Sequence, residues 1–244
     1  MTAVPASRSQ LVTRSTSSVD RHGTPPRSGG RGGLWKTTDI TQLEPNWVNI
    51  DDFFANLAIS CIVQNPVNPQ EIYFGTGEGW HNVDAVRGLG IWKSTDGGNT
   101  FNQLASTNNS NFYRVQKIVI HPPTGDVYAA TRDNGVMKST NGGNSWTKVL
   151  GDGAGALTNK AADLEIGADN TIYAGMGMVF APTDGIYKST SGDAGSWTKL
   201  NTDANGFPTT GFNRIEIATA PSDPNTIYCL TQSATTYGAF GIYK

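Results

Sequence analysis

The sequence predicts an all-β fold, a β-propeller of four-stranded antiparallel blades, on three marks that recur in phase. A short strand ending in lysine appears five times, as GLWK (33–36), GIWK (90–93), GVMK (135–138) and GIYK (185–188 and 241–244), at a spacing of about 50 residues. Upstream of four of these copies an apolar strand runs through a Pro, Asn, Asp or Gly turn into an Ile-Tyr or Val-Tyr strand (59–77, 116–132, 162–177, 213–231). Downstream of three copies lies a Ser/Gly corner that leads to an aromatic residue: STDGGNTF, STNGGNSW and STSGDAGSW.

These marks place four strands in each unit. The first two are a hairpin of apolar residues closed by turn formers, and the lysine strand is the third. The corner supplies Gly and Asn for positive φ, and the segment after it is the fourth strand. For one complete unit the predicted strands are 115–121, 126–131, 135–139 and 145–150. Strands this short cannot enclose a core alone, so meanders set side by side around a channel are the expected solution. A β-sandwich is the alternative fold, and it leaves the one corner per unit without a reason.

Composition agrees with many short strands. The chain has 29 glycines and only 16% charged residues. Its 18 basic and 20 acidic side chains give a net charge of −2, which argues against a nucleic-acid surface or electrostatic membrane binding. No run approaches the ~20 apolar residues of a membrane-spanning helix, so no membrane insertion is expected. Cys61 and Cys229 each sit in an apolar run and read as buried free thiols rather than a disulfide framework.

The expected organisation is a disordered or foreign leader over 1–31, rich in Ser, Arg, Pro and Gly, followed by a propeller segment over 32–244. Within that segment lie a half-blade at 33–50, blades at about 55–105, 112–150 and 160–201, and a partial blade at 212–244, or about four blade equivalents. Two incomplete ends suggest a piece of a larger propeller whose remainder is missing. A small ring closed by pairing the strand near 47–50 with the last sheet is the alternative. Open edges expose unpaired backbone groups, so association or aggregation is expected.

The corners carry a family resemblance. Ser94, Asp96, Gly98, Thr100 and Phe101 match the Asp-box pattern S-x-D-x-G-x-T-W/F at every defined position. Ser139, Asn141, Gly143 and Trp146 form a second copy with Asn141 in the aspartate place. Ser189 to Trp197 is a lengthened copy, and Asp39 opens a stretched one that ends at Trp47. The chain therefore resembles the Asp-box (BNR) propellers of the sortilin, sialidase and xyloglucanase-like superfamily, and in character the large secreted bacterial surface proteins. The resemblance covers 32–244 and implies an extracellular or cell-surface location. It implies a structural corner, with Asp96 accepting backbone N–H groups and the aromatics packing between sheets. The lysine ahead of each corner is expected to be solvated or to cover an aromatic with its stem.

The candidate binding residues are Trp80, His81, Asp84 and Arg87, in a long loop between the second and third strands of the first complete unit. A tryptophan beside an acid and an arginine suits a sugar, by stacking and bidentate hydrogen bonding. The same residues also suit a bland role, Trp80 as a plug and Asp84–Arg87 as a loop-internal ion pair. No catalytic set, metal site or cofactor motif emerges: the histidines lack metal spacing, and no phosphate-binding loop is present. Arg114 and Arg214 open inner strands, where sialidases place arginines, but no matching nucleophile pair accompanies them. The expectation is a non-catalytic recognition or scaffold segment binding a glycan or a protein. The alternatives are part of a xyloglucanase-type glycoside hydrolase, with Asp84 or Asp39 as its one carboxylate, and an intracellular assembly factor of the chloroplast type.

Overall fold

The computed structural model describes residues 10–14, 33–50, 54–56, 58–80, 85–151, 160–177, 185–202 and 204–244. They form five antiparallel sheets in chain order. The first holds β1 (Gln10–Arg14), β2 (Gly33–Thr37) and β3 (Val48–Asn49). The second holds β4 (Ile59–Gln64), β5 (Ile72–Thr76), β6 (Ile91–Ser94) and β7 (Asn102–Gln103). The third is β8 (Val115–Ile120), β9 (Val127–Thr131), β10 (Gly135–Ser139) and β11 (Thr147–Leu150). The fourth is β12 (Ala161–Ile166), β13 (Ile172–Met176), β14 (Gly185–Ser189) and β15 (Thr198–Lys199). The fifth is β16 (Phe212–Ala220), β17 (Asp223–Ser233) and β18 (Ala239–Tyr243).

In each sheet the strands lie side by side in chain order, each antiparallel to the next. The core lies between consecutive sheets rather than within one. On β9, Val127 and Ala129 pack back onto Tyr73 and Ile91 of the second sheet, while Tyr128 and Ala130 pack forward onto Leu164 and Ile172 of the fourth. The two-residue period of a strand sends alternate side chains into two different apolar layers, so the middle strands of a buried sheet read as continuous apolar runs.

The corners are built by side chains. The Ser94 hydroxyl accepts from the Gly98 N–H at 2.9 Å and donates to Asp96 Oδ1 at 2.7 Å. Asp96 Oδ1 accepts from the N–H groups of Asn99 and Thr100, and its Oδ2 accepts from the Thr100 hydroxyl at 2.6 Å. In the next corner Asn141 Oδ1 accepts from the Ser145 N–H at 3.0 Å, and its Nδ2 donates to the Ser145 hydroxyl at 2.9 Å. The third corner keeps only the serine: Ser189 Oγ accepts from the Gly192 N–H at 2.8 Å and meets Ser196 Oγ at 2.6 Å. Gly143 has φ 94°, and a Cβ there would lie 2.5 Å from Leu104 Cδ1, so this corner requires glycine. Phe101, Trp146 and Trp197 each pack onto the preceding sheet or its cluster.

Three expectations need correction. Gln10–Arg14 forms a strand paired along its whole length with β2, although it lies in the polar leader; Leu11, Val12 and Thr13 are strand formers, and β2 offers them a free edge. β3 pairs with β2 and not with the fifth sheet, so the expected ring-closing alternative does not form. Trp47 is half-buried, and Ile50 is the residue that joins the cluster around Leu34 and Phe74.

Lys188 is exposed and Lys93 and Lys138 lie over the Tyr73 and Tyr128 rings, as expected of the lysines before the corners, but Lys36, Lys93 and Lys138 also make bonds that the sequence did not announce. Lys36 Nζ donates to the Gly97 carbonyl at 2.8 Å and to Asn99 Oδ1 at 2.9 Å. The Tyr73 hydroxyl and Lys93 Nζ both donate to the Gly142 carbonyl at 3.4 Å. The Tyr128 hydroxyl and Lys138 Nζ both donate to the Ser191 carbonyl, at 3.2 and 3.3 Å. Lys36, Lys93 and Lys138 thus each tie their own sheet to the corner of the next.

Candidate functional site

The inner strands β4, β8, β12 and β16 surround a cavity of about 790 Å³. The stretch 77–80 after β5, together with Ala55, Asn56 and Ala58 before β4, lines it from the loop side. Polar residues occupy alternate positions of the inner strands, so the same periodicity that buries Ile118, Leu164 and Ile215 turns Lys117, Asp163, Arg214 and Glu216 toward the cavity.

Trp80 lines this cavity and is 41% exposed. The Arg214 guanidinium lies 3.3 Å from its ring centroid, which leaves one face of the indole covered. Arg214 is held in turn by Glu216, with Nε at 2.8 Å and NH2 at 2.6 Å from Oε1. Burial pushes the Glu216 carboxyl above its usual range, with the Asp163 charge adding to the effect and the Arg214 bonds opposing it.

The wall beside this pair is an ion network. Lys117 Nζ lies 2.7 Å from Glu165 Oε1 and 3.5 Å from Asp163 Oδ1. Burial disfavours the lysine charge, but Asp163 and Glu165 more than offset it and hold its pKa above the ordinary value. Asp163 is buried, and its oxygens accept from the N–H groups of Leu164 at 2.9 Å and Ile217 at 2.7 Å, joining β12 to β16. These carboxylates therefore brace the channel.

Gln116 is the exception to this satisfied wall. It is 8% exposed and lines the cavity, and its Nε2 has no hydrogen-bond partner among the described residues. A buried amide N–H left unpaired is costly. Its Oε1 end faces Gly79, where a Cβ would collide with it, so the glycine lets the loop close over the amide.

Of the four sequence-predicted residues, Trp80 lines the cavity and Arg87 does not. The Arg87 guanidinium stacks 3.5 Å from the Tyr113 ring centroid, and its carbonyl accepts from Asn56 Nδ2 at 2.7 Å. His81 and Asp84 lie outside the described residues, and so does the expected ion pair between Asp84 and Arg87. Asp39 belongs to a corner: its Oδ1 accepts from the Thr41 N–H at 3.0 Å and the Thr41 hydroxyl at 2.6 Å. Arg114 pairs with Asp133 at 2.8 Å. The roles of Gln116, Lys117, Asp163 and Glu216 were not anticipated. The signal for them was present, as polar residues set into inner strands that are otherwise apolar. Among the described residues no group of three or more His, Cys, Asp or Glu could hold a metal ion.

Solved structures share this fold. An ancestral GH74 enzyme matches with TM-score 0.61 at 21% identity, over 83% of this chain and 25% of its own. The fold is a β-propeller. The GH74 xyloglucanase from Xanthomonas campestris matches this propeller with TM-score 0.59 at 16% identity, over 92% of this chain and 33% of its own. The extracellular domain of a putative one-component system from B. thetaiotaomicron matches with TM-score 0.54 at 14% identity, over 86% and 25%. The propeller described here thus spans a quarter to a third of each of these structures. No protein-family model and no curated protein matches the chain. No helix among the described residues is long and apolar enough to cross a membrane.

Proposed function

We propose that this chain is a non-catalytic recognition segment of an Asp-box propeller, from the sortilin and xyloglucanase-like group, and that it binds a glycan in the channel mouth. The observation that carries this reading is the half-exposed Trp80 ring on the wall of the cavity. An open indole face is what a sugar ring stacks on, and the cavity volume lies within the range of ligand sites. The carboxylates nearby are engaged in internal bonds, which supports binding over hydrolysis. Propellers of extracellular proteins and carbohydrate-active enzymes share the fold, which supports a secreted or cell-surface protein in which 32–244 is one part of a larger propeller.

The test is titration of the purified chain with an oligosaccharide panel that includes xyloglucan fragments. Trp80→Ala is expected to weaken binding at least tenfold. A folded chain that binds no member of the panel would remove the glycan reading and leave a protein ligand or scaffolding.

The second reading is a half-site of a glycoside hydrolase. It is favoured by Glu216, because a carboxyl raised by burial is the state a general acid needs. Reducing ends released from xyloglucan by the chain, and abolished in Glu216→Gln, would establish it.

A further inference from the structure

The Trp80 ring is held from across the channel. Trp80 follows β5 of the second sheet, and the guanidinium stacked 3.3 Å from its centroid belongs to Arg214, on β16 of the fifth. Among the described residues the indole makes no hydrogen bond and meets no other aromatic ring, so this stack is the one directional contact that sets its plane. With 41% of its surface exposed, the residue is enclosed by packing only in part.

Arg214 is itself aimed and braced. β16 leaves its regular register with β17 between Phe212 and Ile215, and an irregularity of this kind re-aims the side chains it carries. Glu216 then takes Arg214 Nε and NH2 on one oxygen, at 2.8 and 2.6 Å. Charged groups face Glu216 from its neighbours: Asp163 on β12 opposes its charge, while Lys117 on β8 and Arg214 on its own strand favour it. On β17 the residue opposite is the uncharged Leu230, and Glu78 lines the cavity from the loop. Burial foremost, with Asp163, outweighs the two cations, so the carboxyl takes up its proton above the usual carboxylate range.

We propose that Arg214 is the positioning residue of the channel site: it fixes the Trp80 ring from the covered face, so that a sugar stacks on the open face alone, and its bond to Glu216 makes that platform sensitive to pH. The identity of the ligand rests on the glycan reading; the hold on the ring does not. With Glu216 ionised, the guanidinium is anchored by a charge-assisted bond and the ring is fixed. As pH falls through the Glu216 value, the carboxylate takes up a proton and accepts more weakly. Arg214 then loses its charged partner, the ring is released, and binding weakens toward acid.

The experiment uses the full chain labelled with 5-fluorotryptophan and read by fluorine NMR. The chain has six tryptophans, and the resonance lost in Trp80→Phe reports the ring. That resonance is expected to move between about pH 7 and about pH 4, with a midpoint above the value of an ordinary glutamate. Glu216→Gln should give the acid position at neutral pH and abolish the titration. Arg214→Met should displace the resonance, and Arg214→Lys, which keeps the charge, should return it part of the way. The other five resonances should stay in place in all three variants. A Trp80 resonance unmoved by Arg214→Met, or titrating unchanged in Glu216→Gln, would overturn the proposal. Xyloglucan oligosaccharides test the ligand separately: their dissociation constant should rise at least threefold in Arg214→Met, and on acidification of the native chain but not of Glu216→Gln. Oligosaccharide binding that ignores Arg214→Met would also overturn it. No binding, with the resonances behaving as expected, would remove the glycan reading and support the hold of Arg214 on the ring.

Discussion

The Tyr128 hydroxyl donates to the Ser191 carbonyl across 3.2 Å, joining the second strand of one sheet to the corner of the next. Tyr128 is fully buried, and a Cβ on Gly192, the next residue of that corner, would collide with the hydroxyl oxygen. Tyr128→Phe removes the bond and keeps the ring. It is expected to lower stability by about 1 kcal/mol, the usual net worth of one such bond, as read from urea unfolding. An unchanged midpoint would mean that the apolar layer alone holds the two sheets together.

Gly143→Ala tests the corner backbone. The added methyl meets Leu104 at a residue whose φ is 94°. Strain and overpacking of this kind cost about 1–3 kcal/mol each. Pairing it with Leu104→Ala, which vacates the space, should leave only the φ penalty, and a double-mutant cycle would separate the two contributions.

The corners should respond differently to acid. The Thr100 hydroxyl and N–H, then the Ser94 hydroxyl, hold the Asp96 carboxyl far below the usual range. A folded-state pKa below the unfolded one gives a stabilisation that is complete above about pH 4 and is lost as pH falls through the folded value. Asn141 occupies the same place without a titrating group. Asp96→Asn should therefore flatten the melting temperature between pH 2 and 5, and Asn141→Asp should steepen it. Parallel curves for all three proteins would show that the Asp96 bonds add nothing to stability.

Cys61 offers a probe of the cavity. Burial pushes its thiol up to about 11, and that of Cys229 up to about 12. Alkylation at pH 8 should be slow at both and should rise roughly tenfold per pH unit below those values, because the thiolate is the reacting form. Cys61 lines the cavity, so an oligosaccharide bound there should protect it and leave Cys229 unaffected, as measured by mass spectrometry of the labelled peptides.

Much of the fold was legible because its signals are local. The lysine strands, the Ile-Tyr strands and the Ser/Gly corners each depend on residues within a few positions, and their period set the number of sheets. For the complete unit analysed, the observed strands start or end one or two residues inside the predicted ones. The β1 strand was missed because its short run of strand formers sits in a polar leader, and only the edge of β2 gives it a partner. The candidate site was legible in part. Trp80 stood out as an aromatic in an unusually long loop, but Arg214, which covers one of its faces, belongs to a sheet three units away. The cross-sheet tie made by Lys36, Lys93 and Lys138 was missed for the same reason. Their partner is a backbone carbonyl, which has no letter in a sequence, and it lies in the following unit.

All the corner joints point the same way along the chain: the grasping tyrosine and lysine precede the carbonyl they grasp. During synthesis each sheet therefore leaves the ribosome with its donors ready before the corner that will fill them exists. A sheet already in place is a template for its successor, and a successor made first would find nothing to hold it. Each joint links only two consecutive sheets, so a defect in one corner should loosen the contact with the sheet before it and leave the joints elsewhere in the chain intact.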